Sequence, residues 1–439
     1  MATIVKRKDK YHVVYDYIDD YGVRKQKWTA FTNKKDANKF KLDIENKKLF
    51  GDFIAPTPKT VQDFMDEWVE VYSKAHWQFS QYTTVKGMLR NHVYPILGTM
   101  NVQDVTPLHI ERLYNILSRK RKYRGKENEF LSSTTIKYIH STLKVAFKKA
   151  EEWLIIDRSP VRCAAPKVAK SNITIWSDKI FKLVLQNMKD KKLHLIVHLA
   201  FMCSLRPGET LALTWDCVDF ENNSISINKT LQRVYKDALD KLSNDTLIHV
   251  FGSVDPDAKS TLILKTPKTR ASVRKIFISK PLKDELFERK LEIERVKHIL
   301  GNEYKDNNLV FSLDNGLPIE IKTCAKRFKR WQQRCGLGLP LITLHGIRHS
   351  SSTYKLRISG GDTKSVQGDT GHTKADTLIN TYSHIEDIQC INLTNTIEKD
   401  FYGEPECVDK TSEIDIIKLI KNDPELRKKA LTALLAQIT

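Results

Sequence analysis

The sequence lacks three features that would assign it to a membrane, to a secretory route or to a disulfide-rich scaffold. No apolar run approaches the roughly 20 residues of a membrane helix. The amino-terminal stretch MATIVKRKDKYHVV has no apolar segment of signal-peptide length, so nothing in it directs export. The seven cysteines are scattered, with no CxxC pair and no Cys/His group at zinc-ligand spacing. We therefore expect a cytoplasmic protein with reduced cysteines, no bound metal and no membrane partner.

Acidic residues are too few to balance the basic ones. The 439 residues include 53 Asp and Glu against 73 Lys and Arg, which gives a formal net charge of +20. Lys and Arg side chains that neutralise phosphates release counterions, so the excess indicates a polyanionic partner. Ribosomal, chromatin and membrane-surface proteins share this property, and the charge alone therefore indicates no activity. The length predicts roughly two to four domains.

Residues 1–55 predict a three-stranded sheet with one helix behind it. Alternation from Tyr11 to Tyr17 indicates one strand, and VRKQKWTAF indicates the next. A helix follows, from a Thr32 cap to Gly51. The strands carry a basic cluster that indicates contact with nucleic acid, although a solvated basic face is the simpler alternative. Its members are Lys6, Arg7, Lys8, Lys10, Arg24, Lys25 and Lys27.

Residues 59–165 follow a proline-containing linker and predict a helical bundle. Four stretches with helical apolar spacing are joined by short connections. The connection between the third and fourth helices, RKRKYRGKENEF, is too hydrophilic to be core, so it is either a solvated loop or a phosphate clamp. Its candidate DNA contacts are Arg119, Lys120, Arg121, Lys122 and Arg124.

Residues 172–400 predict a larger, mainly helical domain that contains a small β-sheet and a hairpin. The fold class is therefore a multidomain α+β protein. Residues 401–439 form a tail whose apolar positions recur at helical spacing. The tail could pack on its own domain or on a neighbouring copy of the chain.

Two stretches of residues 172–400 carry cations suited to phosphate chemistry. In SLRPGETLALTW, Arg206 lies between two helices, where its planar fork can bind two phosphate oxygens; pairing with Glu209 is the simpler alternative. In the predicted hairpin LILKTPKTRASVRKI, a lysine at the tip could protonate a leaving oxygen. Basic hairpins also occur on plain DNA-binding surfaces, and this one carries Lys265, Lys268, Arg270, Arg274 and Lys275.

Two further stretches are helical. In TLHGIRHSS, His345 and Arg348 lie three residues apart, so both can face one anion near the helix N-terminus, whereas His349 is expected to point elsewhere. In GHTKADTLINTYSHI, His372 precedes a helix and Tyr382 lies at its far end. A tyrosine attacks phosphorus only where cations stabilise its charge. A helix-capping histidine and a buried tyrosine are the ordinary alternatives.

These side chains, in this chain order, resemble the active-site set of the tyrosine recombinases, the phage integrase family. The run QGDTGH departs from the leucine-glycine pair that usually precedes the family's histidine, but it keeps the glycine and the histidine. Either Lys265 or Lys268 could be the catalytic lysine, and PKT followed by RASVRKI matches the family pattern best at Lys268. The resembling residues are Arg206, Lys268, His345, Arg348, His372 and Tyr382.

The resemblance implies a reaction that needs no cofactor and no metal. Tyr382 would attack a scissile DNA phosphate and form a 3′-phosphotyrosyl link. Arg206 and Arg348 would neutralise the phosphate oxygens, and Lys268 would protonate the departing 5′-oxygen. The supporting roles would fall to His345, which orients or accepts a proton near the tyrosine, His372, which donates a hydrogen bond, and Glu209, which orients Arg206.

The resemblance also implies an assembly. Residues 1–55 would be an arm-type DNA-binding domain, 59–165 a core-binding domain, 172–400 the catalytic domain and 401–439 an inter-protomer contact. Four protomers would join two double-stranded DNA sites through a Holliday junction and so integrate and excise a phage or transposon at the bacterial nucleoid. An accessory directionality factor or DNA-bending protein would assist.

Other functions fit parts of the sequence. They are an enzyme that relaxes supercoils by the same tyrosine chemistry, a catalytically silent DNA-binding regulator on the same scaffold, and a basic RNA-binding protein. The arm-type domain argues against the first. The six filled catalytic positions argue against the other two.

Overall fold

The computed structural model describes residues 2–19, 22–121, 129–168, 173–241, 246–252, 255, 257–267 and 272–371, together with Thr394 and Ile397. Residues up to Thr373 form one compact unit. Among the described helices, none has both the length and the apolar character needed to cross a membrane. The tail 401–439 and six predicted site residues lie outside the described residues: Lys122, Arg124, Lys268, Arg270, His372 and Tyr382.

The amino-terminal sheet is antiparallel and has the order β1-β2-β3. Its strands are β1 (Ala2–Arg7), β2 (Lys10–Ile18) and β3 (Arg24–Phe31). Helix α1 (Lys34–Phe50) packs against the sheet and buries Ala37 and Ile44 against β2. The predicted small sheet with one helix is confirmed.

The cap of α1 differs by one residue from the prediction. The helix begins after Asn33 instead of Thr32, because the Asn33 side chain accepts the amide hydrogen of Asp36 at 2.7 Å. It ends as predicted at Gly51, whose φ of +81° lies in the left-handed region that glycine adopts without strain.

A helical bundle follows. Its elements are α2 (Val61–His76), α3 (Phe79–Met88), a π-helical turn (Leu89–Val93), α4 (Tyr94–Leu97), α5 (Pro107–Ser118) and α6 (Ser133–Glu152). The π-helical turn joins α3 to α4, so these two helices make up the second of the four predicted helical stretches. Thr60 and Thr106 begin α2 and α5 with reciprocal capping boxes, which satisfy amide groups that a helix start leaves unpaired. The predicted bundle is confirmed.

The remaining described region is mixed. Its helices are α7 (Asp178–Asn187), α8 (Lys191–Met202), α9 (Pro207–Leu211), α10 (Lys236–Lys241), α11 (Lys280–Leu300), α12 (Ile321–Arg334), α13 (Leu344–Ile358) and α14 (Thr363–Thr370). Its strands are β4 (Val218–Asp219), β5 (Ser224–Ile227), β6 (Thr230–Tyr235), β7 (Leu247–Val250), β8 (Ser260–Lys265) and β9 (Arg274–Phe277). The strands form two antiparallel sheets, ordered β4-β5-β9 and β6-β8-β7.

The predicted hairpin between β8 and β9 is wrong. Strand β8 lies between β6 and β7, whereas β9 pairs with β5 in the other sheet. The reason is that β8 is buried on both faces. Leu262 and Leu264 pack in the same core as Ile276 of β9, but Ile263 between them packs in the bundle core. The connection after Lys265 therefore crosses from one sheet to the other.

The bundle core extends into the sheet β6-β8-β7. Val234 of β6, Ala238 of α10 and Ile263 of β8 are buried among bundle residues such as Phe79 and Tyr82 of α3. The two regions thus share apolar contacts as well as a linker. The division into 1–55, 59–165, 172–400 and 401–439 stays a prediction.

Candidate active site

Arg206 lies where α8 ends and α9 begins. Pro207 occupies the first helical position of α9, where its fixed φ suits a helix start, and Arg206 therefore becomes the N-cap residue. The carboxylate of Glu209, three residues on, accepts the Arg206 backbone N–H at 3.1 Å and its Nη1 at 2.6 Å. Both the backbone and the guanidinium of Arg206 are thereby held by one side chain.

Glu209 also binds a second arginine. Nη2 of Arg274, on β9, donates to Glu209 Oε2 at 3.2 Å. The Glu209 and Arg274 side chains are only 3% and 6% exposed. Burial alone would raise the pKa of Glu209, but the charges of Arg274 and Arg206 hold it below its ordinary value. Glu209 is therefore ionised at neutral pH and lies between two guanidinium groups.

The two arginines also hold the chain that leads to His372. Arg206 Nη2 donates to the carbonyl of Gly371 at 3.2 Å, and Arg274 Nε donates to the carbonyl of Asp369 at 3.0 Å. Lys355 of α13 forms an ion pair with the Asp369 carboxylate. The residue before His372 is thus bonded directly to Arg206.

The side chain of Arg348 is anchored to Ser204, a residue two positions before Arg206. Its side chain comes from α13, is 1% exposed and donates from Nη1 to the carbonyl of Ser204 at 2.5 Å. Ser204 has a φ of +49°, which is unusual outside glycine, and its hydroxyl shares a 2.5 Å hydrogen bond with that of Ser351. The structure therefore joins α13, which carries His345 and Arg348, to the segment that carries Arg206.

His345 occupies the first turn of α13, which Thr343 caps by accepting the Gly346 amide hydrogen at 3.0 Å. The residue reaches the surface, yet neighbouring side chains shield much of its imidazole. This burial, together with the charges of His349, Arg348 and Arg206, lowers the pKa of His345 to about 4. His345 is therefore neutral at physiological pH.

His349 does not point away as the sequence predicts. Its ring meets that of His345 edge to face, with centroids 4.8 Å apart, because residues four apart on a helix are neighbours. Burial and Arg348 lower the pKa of His349 as well. His349 therefore packs against the site.

Lys265 is separate from this group. It is 4% exposed, its Nζ donates to Oε1 of Gln78 and lies 5.7 Å from the ring centroid of Phe79. These contacts fasten β8 to α3 of the bundle. Lys268 lies outside the described residues, so the choice between the two lysines stays a prediction.

Arg274 lies in the candidate site, although the sequence pattern assigns it no role there. In the sequence, Arg274 is one of several cations near a predicted turn. In the structure, it donates hydrogen bonds to the Glu209 carboxylate and to the carbonyl of Asp369. A period of two along β9 places Arg274 on the same side as Ile276 and Ile278, which are both buried. That alternation was the available signal that Arg274 faces inward.

The strand register sorts the basic residues of the amino-terminal sheet. Arg7 is paired with Lys10, and these residues lie on the face away from α1 with His12 and Trp28. Lys25 and Lys27 share the other face, since Lys27 is opposite Tyr15, a residue buried against α1. Arg24 and Lys25 form ion pairs with Asp16 and Asp19. All seven predicted basic residues of this sheet are exposed.

The described part of the basic loop contains Arg119, Lys120 and Arg121. Arg119 and Arg121 are exposed, while Lys120 Nζ donates to the carbonyl of Asn91 at 2.6 Å. Lys120 thereby ties the start of this loop to the π-helical turn.

Comparisons with known proteins identify the family. A sequence profile described as the phage integrase family matches residues 177–388, a range that includes all six predicted catalytic residues. A second profile, described as the N-terminal SAM-like domain of phage integrases, matches residues 60–118. The chain belongs to the phage integrase family. It is a tyrosine recombinase, an enzyme that cleaves and rejoins DNA strands in site-specific recombination.

Relatives of the integrase family match over most of the chain. A XerC-like tyrosine recombinase of Caldanaerobacter subterraneus is 26% identical over 351 residues, which cover 77% of this chain and 82% of that protein. The ICEBs1 integrase of Bacillus subtilis is 23% identical over 321 residues, or 72% of this chain and 76% of that protein.

Solved integrase structures share the fold. The Tn1549 transposon integrase in complex with transposon right-end DNA has a TM-score of 0.59 at 18% identity, over 77% of this chain and 99% of that one. A lambda integrase dimer bound to a core site has a TM-score of 0.50 at 16% identity, over 75% and 98%. The confirmed fold class is therefore that of the family's multidomain integrases.

Proposed function

We propose that this recombinase is an integrase that integrates and excises a mobile element, with Tyr382 as its nucleophile. The observation that carries the proposal is that Arg206 and Arg348 are anchored within one short segment, at Glu209 and at the Ser204 carbonyl. Two fixed guanidinium groups with a neutral histidine beside them suit a phosphate whose negative charge grows during the reaction.

In the proposed reaction, the Tyr382 oxygen attacks the scissile phosphorus and the bond to the 5′-oxygen breaks. The products are a 3′-phosphotyrosyl ester and a free 5′-hydroxyl, which later attacks the ester of a partner strand and releases the tyrosine. Arg206 and Arg348 neutralise the non-bridging oxygens, and Lys268 gives a proton to the departing 5′-oxygen. The ester conserves the bond energy, so the reaction consumes no nucleotide.

The histidines and Glu209 complete this proposal. His345, whose imidazole is neutral in the free protein, orients Tyr382 or accepts a proton near it. His372 donates a hydrogen bond to the phosphate. Glu209 and Arg274 are positioning residues, since their buried ion pair holds the guanidinium of Arg206 in place.

We also propose the partners of this enzyme. Double-stranded DNA binds at core and arm attachment sites. The complexes of the Tn1549 integrase with transposon right-end DNA and of lambda integrase with a core site support DNA as the partner. Four protomers then exchange strands through a Holliday junction, assisted by a directionality or DNA-bending factor. The setting is the bacterial cytoplasm, at the nucleoid.

Residues 401–439 are proposed to pass a contact between protomers. Deleting residues 413–439 should weaken assembly on paired sites more than binding to one site, because only the assembly uses that contact. Gel-shift titrations on single and paired sites measure both quantities. Equal losses in the two titrations would refute this role.

Covalent trapping tests the catalytic proposal. Protein is incubated in EDTA with nicked attachment-site DNA, whose sequence comes from the junctions that flank the element. Wild-type protein should form a detergent-stable protein–DNA adduct, and Tyr382→Phe should form none. Tyr354→Phe, which changes a helical tyrosine of α13 outside the proposed chemistry, is the matched control and should retain the adduct.

The same experiment addresses the alternative function. If wild-type protein and Tyr382→Phe both bind synapsed cognate sites and neither forms an adduct, the catalytic proposal fails. A catalytically silent DNA-binding regulator would then be the better account.

A further inference from the structure

His194, His198 and Glu285 form a cluster that the proposed reaction does not use. The two histidines lie one turn apart on α8, and Glu285 faces them from α11. Nδ1 of His194 lies 3.1 Å from Oε2 of Glu285, and Nδ1 of His198 lies 2.9 Å from Oε1. Candidate ligand atoms of all three residues lie within 4.8 Å of one another.

The chemistry of the cluster matches a zinc site. Two imidazoles and one carboxylate are a ligand set found in catalytic zinc sites, where a water molecule takes the fourth tetrahedral position. Bonds of about 2.0–2.1 Å place tetrahedral ligand atoms roughly 3.3 Å apart. The two nitrogen–oxygen distances are within about half an ångström of that spacing. All candidate ligand atoms lie within 4.8 Å of one another, so side-chain rotations would bring them to it.

The surroundings hold the three ligands in place. Leu195 and Leu199 of α8 and Leu282 and Leu286 of α11 are buried in one core, which fixes the two helices relative to each other.

The cluster also has access to solvent. His194 and Glu285 line a groove of about 820 Å³, together with Met188, Lys191 and Arg295. An ion can enter through this groove, and a water molecule from it can fill the fourth position. An entry path and a ligand set of the right kind thus coincide.

We propose that His194, His198 and Glu285 bind one Zn²⁺ ion that joins α8 to α11. The ion takes no part in strand cleavage. It stabilises the helix that ends four residues before Arg206 and that packs on α13, the helix of His345 and Arg348. The inference is independent of the proposed reaction.

The test uses untagged full-length protein that has been treated with a chelator and dialysed. Calorimetric titration with Zn²⁺ should give one site per chain, and a thermal scan should show a higher unfolding midpoint with the ion. Glu285→Gln should weaken Zn²⁺ binding at least a hundredfold, because it removes the charged ligand. Glu288→Gln, which removes a carboxylate one turn away in the same groove, should bind Zn²⁺ as the wild type does.

A second variant and a second metal keep the test decisive. His198→Asn should lose the site as well, with circular dichroism used to verify that each variant is folded. Co²⁺ bound to the wild type should show the visible absorption of a four-coordinate ion, and His198→Asn should not. If wild-type protein shows neither a stoichiometric site nor a midpoint shift, or if both ligand variants bind as the wild type does, the proposal is overturned. The cluster would then be a hydrogen-bonded clamp without metal.

Discussion

At the scale of the residue, the low pKa of His345 makes a measurable prediction. Burial and the neighbouring cations destabilise the charged imidazole, so His345 in the free protein should titrate near pH 4. Binding of attachment-site DNA to Tyr382→Phe should raise this value, because a phosphate offsets the charges of Arg206 and Arg348. Proton NMR of the imidazoles measures both values, with His345→Gln used to assign the signal.

Because the pKa of His345 differs between the folded and unfolded states, the free energy of unfolding depends on pH. The folded-state pKa of His345 lies below the unfolded value of about 6.5, so the stability associated with the neutral ring is present above pH 6.5 and is lost as pH falls towards 4. His345→Gln should therefore lose less stability than the wild type over this range. Titration of His345 near pH 6.5 in the free protein would contradict the described contacts.

The buried pair between Glu209 and Arg274 makes a second prediction at this scale. Arg274→Met leaves a buried carboxylate with one partner fewer and should lower the free energy of unfolding by about 3 kcal/mol. Strand cleavage should fall as well, since Glu209 then holds Arg206 less firmly. Denaturant titration and the adduct assay measure these effects.

The adjacent residue supplies the control for Arg274. Lys275 is exposed on the opposite side of β9, so Lys275→Met removes the same charge without breaking the buried pair. Its stability should change by no more than about 0.5 kcal/mol. Similar losses for the two variants would mean that net charge, and not the pair with Glu209, is the cause.

At the scale of the element, β8 links the two large cores. Ile263→Ala removes a fully buried side chain from the bundle core and should cost roughly 2–5 kcal/mol. Hydrogen exchange should then increase in the bundle helices as well as in β8, because the side chains of this strand pack in the bundle core and in the neighbouring core. Ile248→Ala on the neighbouring β7, where the side chain is 46% exposed, should have little effect. Faster exchange confined to β8 would show that the bundle does not depend on this contact.

Elements whose signals are local could be predicted from the sequence. The termination of α1 at Gly51 involves groups within a few residues, and the order of the predicted catalytic residues is visible in the chain itself. The partners of β8 could not be predicted, because strand pairing depends on which distant apolar face is available. Arg274 and Glu209 lie 65 residues apart, so no local pattern joins them. Inward alternation in β9 was the nearest indication.

At the scale of the whole molecule, the distribution of the +20 charge matters more than its size. Arg7 and Lys10 lie on the face of the sheet that α1 does not cover. Replacing both with Gln should weaken binding to arm-site DNA and lower the slope of log K against log salt by about 0.9 for each phosphate that the protein no longer neutralises. Fluorescence anisotropy at several salt concentrations measures the slope.

The control is a second double variant, Lys25→Gln with Lys27→Gln, which removes the same amount of positive charge. These residues share the face that α1 covers in part, so the double variant should change affinity and slope less. Core-site binding should be the same for both double variants. If the two affect arm-site binding equally, net charge rather than the exposed face determines arm recognition.

The backbone at Ser204 restricts how this enzyme can change during evolution. The position requires a positive φ, room for almost no side-chain volume, and a hydroxyl for Ser351, while its carbonyl anchors Arg348. Glycine meets the first two requirements but lacks the hydroxyl, and a larger residue fails at least one of them. A saturation library selected for recombination should therefore return serine, some glycine and almost nothing else. A residue that never touches DNA would then be as restricted as the nucleophile itself.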